Sequence, residues 1–155
     1  MPGLAVQSTM VSVFAIRGHG KDAQVLLLRR AGTHLHGVWS YVAGHLEPDE
    51  KAWQCALREL REETGLTPLA LYSADCCESY YDIREECIAV VPAFVAVIGT
   101  EAEVSLNSEH DDHRWASFDQ ATRQLPFGGQ RQLLAHVQRE FVNREPAPAL
   151  RMPTT

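Results

Sequence analysis

The chain of 155 residues is short of positive charge: 14 Lys and Arg stand against 20 Asp and Glu, for a formal net charge of −6. No run is rich in Lys or Arg. A module that grips duplex nucleic acid does so by neutralising phosphates with cationic side chains, so no duplex partner is expected. A small phosphorylated substrate held through a cation is not excluded. Long apolar runs are also missing. The longest, Cys87 to Ile98, is interrupted by Pro92. It falls short of the ~18 residues a membrane span needs, so no membrane partner is expected. The first residues hold no charged region followed by a long apolar stretch, so no export signal is read and a cytoplasmic location is expected. Cysteine is scarce: Cys55, Cys76, Cys77 and Cys87 match no zinc spacing. They read as reduced thiols acting as small buried hydrophobes. Repeats and low-complexity segments are absent. What remains is ordinary for a globular domain, with 45% hydrophobic residues and a mean hydropathy of −0.20. A chain of this length typically buries roughly 70% of its unfolded surface, enough for one core without disulfides or a structural metal.

The acids that are present are clustered. Residues 47–63 hold Glu47, Asp49, Glu50, Glu59, Glu62 and Glu63 against Lys51, Arg58 and Arg61. Residues 101–119 hold Glu101, Glu103, Glu109, Asp111, Asp112 and Asp119 against Arg114 alone. A charge cluster is usually a solvated face. The local pattern around the first cluster says otherwise.

Periodicity and turn residues outline the elements. Strands are expected at Leu4 to Ile16, Gln24 to Leu28, Val38 to Val42, Leu69 to Tyr81, Glu86 to Ile98 and Arg114 to Ser117. A helix is expected to start at Pro48 and Asp49, with acids in its first turn, and to run from Glu50 to Thr64. Gly65 is the expected left-handed residue past its end. A polar loop is expected from Glu101 to His113, a short helix from Asp119 to Gln124, and helical spacing of Leu133, Leu134, Val137 and Phe141 out to Asn143. Strands with interspersed helices make a mixed α/β sandwich. Residues 1–144 form the single domain, and 145–155, with three prolines, read as a flexible C-terminal tail.

The helix over 50–64 breaks two local rules. At about 100° per residue, Ala52, Ala56 and Leu60 form a core-facing stripe, flanked by Trp53 and Leu57. Glu59 and Glu63 fall at the edge of that stripe, and Glu62 lies near Cys55. Three carboxylates thus share about a quarter of the circumference. Like charges one turn apart repel, and Glu62 and Glu63 sit where the helix dipole disfavours negative charge. Two violations together point to a site. A hard, oxygen-seeking divalent cation such as Mg2+ is the natural compensation.

The spacing sharpens this. Gly44 is followed after five residues by Glu50, and after seven more by Arg58, Glu59, Leu60, Arg61, Glu62, Glu63, Thr64, Gly65 and Leu66. This resembles the Nudix hydrolase signature, G-x5-E-x7-R-E-U-x-E-E-x-G-U with U aliphatic, at every defined position. The resemblance covers roughly residues 10–143. Val42-Ala43-Gly44 stands where the family often has Pro-Gly-Gly, and Asp49 where a Gly is common before the first acid.

The resemblance implies an α/β/α sandwich with a mixed sheet and the catalytic helix packed beside it. It implies hydrolysis of a phosphoanhydride with bound Mg2+, or Mn2+ in its place. Glu59 and Glu63 become the foremost metal ligands, joined by Glu62 and the carbonyl of Gly44. Arg58 orients the carboxylates and Glu50 braces the loop onto the helix. Glu109, in Ser108-Glu109-His110 ahead of Trp115, is the distant acid that serves as ligand or general base, with Glu62 the other catalytic acid. More loosely, the chain is similar to the branch acting on dATP-like or dihydroneopterin triphosphate substrates. That likeness rests on Arg29 and Arg30, His36 to Trp39, Tyr80 to Asp82, Pro92, Ser108 to His110, and Gln130 with Arg131. It implies a nucleotide-like substrate cleaved to a monophosphate and pyrophosphate. Arg29, Arg30, Trp39, Tyr81 and Arg131 are then substrate-binding candidates. Alternating strand residues face opposite sides, so at most one of Arg29 and Arg30 is expected to meet phosphate. Nucleotide sugars or dinucleoside polyphosphates are the alternative substrates, and a non-catalytic nucleotide-binding domain is the alternative role. An isoprenyl diphosphate isomerase would need a catalytic cysteine that none of the four places. A homodimer follows by family analogy alone.

Overall fold

Two central strands carry apolar residues on both faces, which dictates a sheet covered on both sides. In the computed structural model, which describes residues 2–154, these are β2 (Met10–Arg17) and β3 (Gln24–Arg30). Val11, Val13 and Ala15 of β2, with Leu26 and Leu28 of β3, face one layer. Phe14 and Ile16, with Val25 and Leu27, face the other. The first layer is α1 (Ala52–Thr64), which buries Cys55, Ala56, Leu57 and Leu60. The second is α2 (Phe118–Gln124) and α3 (Gly128–Val137), the latter continuing through a π-type turn at Gln138–Val142. The architecture is the expected α/β/α sandwich.

The sheet is mixed and branched. β1 (Ala5–Gln7) and β2 both run parallel to β7 (Cys87–Val97). β6 (Ala70–Asp82) and β7 form a long antiparallel hairpin. β2 and β3 pair only at Ile16↔Val25 and Arg17↔Gln24, then part. Beyond that fork β5 (Val42–His45) takes over the edge of β2, while β4 (Trp39–Ser40) and β8 (His110–Ser117) take the two edges of β3. The fork leaves an opening between Arg30 at the end of β3 and Gly44 on β5.

Several expected boundaries shift. Leu4 to Ile16 is two strands, because Ser8 and Thr9 break the ladder between pairing partners on β7. The helix starts at Ala52, so its first turn holds no acid. Asp49 has a φ of +63°, outside the helical region, and Glu50 is drawn back toward the loop. Gly65 closes the helix with φ +73° and donates its N–H to the Arg61 carbonyl at 2.8 Å, as expected. His110 to His113 belong to β8 and not to the acidic loop, since β3 pairs them. Part of the stretch expected to be a flexible tail is tied down: β9 (Arg151–Met152) pairs with Tyr72 and Leu71 of β6. Among the described residues no helix is long and apolar enough to cross a membrane.

Candidate active site

Arg58 is the hub of the acidic helix. Its Nε and Nη2 donate to the two oxygens of Glu50 at 2.7 and 2.9 Å, a bidentate pair. Nη1 donates to Glu59 Oε1 at 2.8 Å and to Glu62 Oε2 at 3.2 Å, and Nη2 also reaches the His45 carbonyl at 2.9 Å. Glu50 accepts in addition from the Glu47 amide at 3.1 Å. One side chain thus binds the loop to the helix, and the guanidinium holds the Glu50 carboxyl down at about 2. Asp49, where a glycine is common in the resembled signature, takes the left-handed backbone that Asp tolerates better than most residues.

Gly44 lets Glu59 keep its position by close approach. A Cβ there would overlap the Glu59 carboxylate. Removing that atom lets the helix press Glu59 against β5. Burial raises the Glu59 carboxyl, with Arg58 opposing.

Glu63 has no such help. It is 3% exposed, and its Oε2 has no hydrogen-bond partner. Burial first, then the charges of Glu59 and Glu109, push its carboxyl up to about 9. His110 Nδ1 lies 3.6 Å from Glu63 Oε1, beyond hydrogen-bond range, and is itself unpartnered. Burial and the nearby Arg30 lower the imidazole, and burial raises the Glu63 carboxyl, so both shifts work against an ion pair at this contact. Ligand atoms of Glu63, Glu109 and His110 lie within 4.8 Å of one another, a spacing that could hold a metal ion. An unpartnered buried carboxylate oxygen among further acids fits a divalent cation.

Beside this cluster a cavity of about 630 Å³ opens at the sheet fork. Gly44, Glu59, Glu109 and His110 line one side, while Arg30 and Tyr80, and Arg84 flanked by Asp82 and Glu85, contribute other walls. Of the anticipated residues, Gly44, Glu59, Glu63 and Glu109 therefore come together, and Arg30 joins them. Glu62 stands apart, with its side chain 54% exposed and tied only to Arg58.

The remaining substrate candidates lie elsewhere. Arg29 faces away from Arg30 and pairs with Asp111 at 2.7 Å. Trp39 packs on the α3-side core, with the Arg114 guanidinium 4.8 Å and that of Arg29 5.9 Å from its ring. Tyr81 is turned from the cavity by strand alternation, and its hydroxyl donates to Glu86. Arg131 donates to the Leu125 carbonyl at 2.8 Å, where it anchors the start of α3. Tyr80 takes the wall position expected of Tyr81. Arg84, on the β6–β7 turn, carried no sequence signal.

Residues 7–142 match the family model described as the NUDIX domain, so the chain belongs to the Nudix family. Its class is that of the Nudix hydrolases. It is 31% identical over 103 residues to the asymmetrical bis(5'-nucleosyl)-tetraphosphatase of Mus musculus, covering 65% of this chain and 69% of that protein. It is 34% identical over 123 residues to a Myxococcus xanthus protein named octanoyltransferase, covering 79% of this chain. The chain spans only 34% of that relative's length. Among solved structures, a C. elegans Ap4A hydrolase in a binary complex matches with a TM-score of 0.72. That match covers 84% of this chain and 94% of the other at 24% identity, a likeness of fold.

Proposed function

We propose that this chain hydrolyses a phosphoanhydride in a nucleoside triphosphate-like substrate, dependent on Mg2+ or Mn2+, releasing pyrophosphate and a monophosphate. The observation that carries this reading is Glu63: a buried carboxylate with an unpartnered oxygen, set among Glu59, Glu109 and His110 beside a cavity that Arg30 and Arg84 also line. Glu59, Glu63 and Glu109, with the Gly44 carbonyl, would hold the ion, while Glu62 points to solvent on Arg58 and stays outside this set. When bound, a divalent cation there neutralises phosphate charge and lowers the pKa of a bound water. Arg58 keeps Glu59 and Glu62 in place, and Glu50 keeps Arg58 in place. Arg30 and Arg84 meet the phosphate chain, and the half-exposed Tyr80 offers a ring for a base to stack on. The oxygen of water bonds to the α-phosphorus, and the bridging bond to the β-phosphate breaks with its electron pair leaving on pyrophosphate. The water proton passes to a carboxylate, for which the exposed Glu109 at the cavity is best placed.

A second reading, cleavage of a dinucleoside polyphosphate, draws on the name of the Mus musculus relative. One substrate screen separates them. Nucleoside triphosphates (dATP and dihydroneopterin triphosphate included), diadenosine tetraphosphate and nucleotide sugars are offered with Mg2+, and pyrophosphate and orthophosphate are detected separately. Pyrophosphate from a triphosphate is the expected result. Undiminished turnover in Glu63→Gln overturns the assignment, and tight nucleotide binding without product replaces it with a binding domain.

A further inference from the structure

His110 brings a donor type that a carboxylate cluster lacks. Its position depends on a local irregularity in β8. The register against β3 runs Leu28↔His113 and Arg29↔Asp112, then shifts, so that Arg30 opposes His110 and not Asp111. Directly opposed residues in an antiparallel pair share a face. The bulge therefore sends His110 to the side of Arg30 and the acids, and leaves Asp111 with Arg29 on the other. His110 is 7% exposed, and its Nδ1 has no partner. Buried imidazole nitrogens ordinarily find one. This one stands 3.6 Å from a Glu63 oxygen, and the other oxygen of Glu63 is equally unpartnered. Two donors each about 2.1 Å from one ion sit roughly 3–4 Å apart. The separation suits shared coordination and is too long for a hydrogen bond.

We propose that His110 Nδ1 is a ligand of the divalent-cation site, making it a mixed nitrogen–oxygen site that favours Mn2+, Co2+ or Zn2+ over Mg2+. The inference rests on the reading that a cation binds at Glu63. Mg2+ takes oxygen ligands and keeps much of its water, whereas later ions accept imidazole nitrogen readily. Removing His110 should therefore cost the two kinds of ion unequally. His110→Gln should weaken Co2+ binding roughly 10-fold or more while Mg2+ binding changes by less than about threefold. A histidine that merely packs would move both together or neither.

The direct test is pulsed EPR on the full chain loaded with Mn2+ and no substrate, comparing ordinary protein with protein carrying 15N-histidine. A nitrogen coupling that changes with the isotope and vanishes in His110→Gln is the expected result, with thermal melts confirming that the variant folds. The isotope comparison in the wild-type protein needs no variant at all. Mn2+ that Glu63→Gln releases, with no nitrogen coupling in the wild type, overturns the role of His110 and leaves the cation site standing. A coupling that persists in His110→Gln assigns the nitrogen to another histidine and also overturns it. Mn2+ bound equally by wild type and Glu63→Gln overturns the cation site itself.

Discussion

Glu63 on α1 and Glu78 on β6 are both carboxylates held above the ordinary range, and they differ in what surrounds them. Burial is the first cause of the rise in both. Glu78 accepts a hydrogen bond from the Tyr41 hydroxyl at 2.9 Å, which pulls it partly back. Glu63 has acids for neighbours, which push it further up, and an oxygen with no partner. A carboxylate with a neutral donor beside it is part of the packing. A carboxylate left among other acids is costly in the absence of a ligand and valuable with one.

The comparison is most severely strained by Glu63→Gln. Turnover should fall at least about 100-fold, since a ligand is expected to matter no less than the groups around it. The melting temperature of the metal-free protein should hold or rise. A loss of stability without loss of turnover would make Glu63 another Glu78. Arg58→Ala comes next, because it strips Glu50 and Glu59 of their shared donor. Unfolding by urea should show a loss of about 2 kcal/mol, a figure reduced from that of a fully buried pair because the guanidinium retains some solvent. Tyr41→Phe should cost about 1 kcal/mol by leaving Glu78 without its donor, and turnover should be unchanged. Arg29→Ala should change neither melting temperature nor turnover, its pair with Asp111 being exposed.

Acidity gives the same contrast within the signature itself. The Glu63 carboxyl is raised from an ordinary 4.5 to about 9. Its contribution to the stability of metal-free protein is full below pH 4.5 and is lost as pH rises through about 9. Glu50 is lowered to about 2, so its contribution is present above 4.5 and lost as pH falls through about 2. Chemical denaturation across pH 5–9 in chelator should show the wild type losing stability relative to Glu63→Gln. Parallel profiles would mean that Glu63 is not desolvated.

Much of this was legible in the chain, and the reasons are local. The apolar stripe of α1, its Gly65 stop and the continuous apolar runs of β2 and β3 each depend on neighbours close in sequence. The separation of Arg29 from Arg30 followed from strand alternation alone. The spacing from Gly44 to Leu66 carried the family. What stayed hidden depends on partners far along the chain. The bulge that turns His110 inward exists only in the pairing of β8 with β3. β9 is too short to read without β6 beside it. The helical wheel sets Glu63 at the edge of the core stripe, where it is buried, but also draws Glu62 into the same sector, and Glu62 is exposed on Arg58. Tyr80 and Tyr81 could not be told apart until the phase of β6 was known.

The central claim is that Glu63 is built to meet a divalent cation. Thermal unfolding of wild type and Glu63→Gln, each in chelator and in saturating Mg2+ or Mn2+, tests it most directly. At about 100 times its Kd an ion adds about 2.7 kcal/mol, which for a domain of this size is a rise of roughly 5–10 °C. The expected result is that rise in the wild type and little or none in the variant. An equal rise in both, or none in either, would contradict the claim.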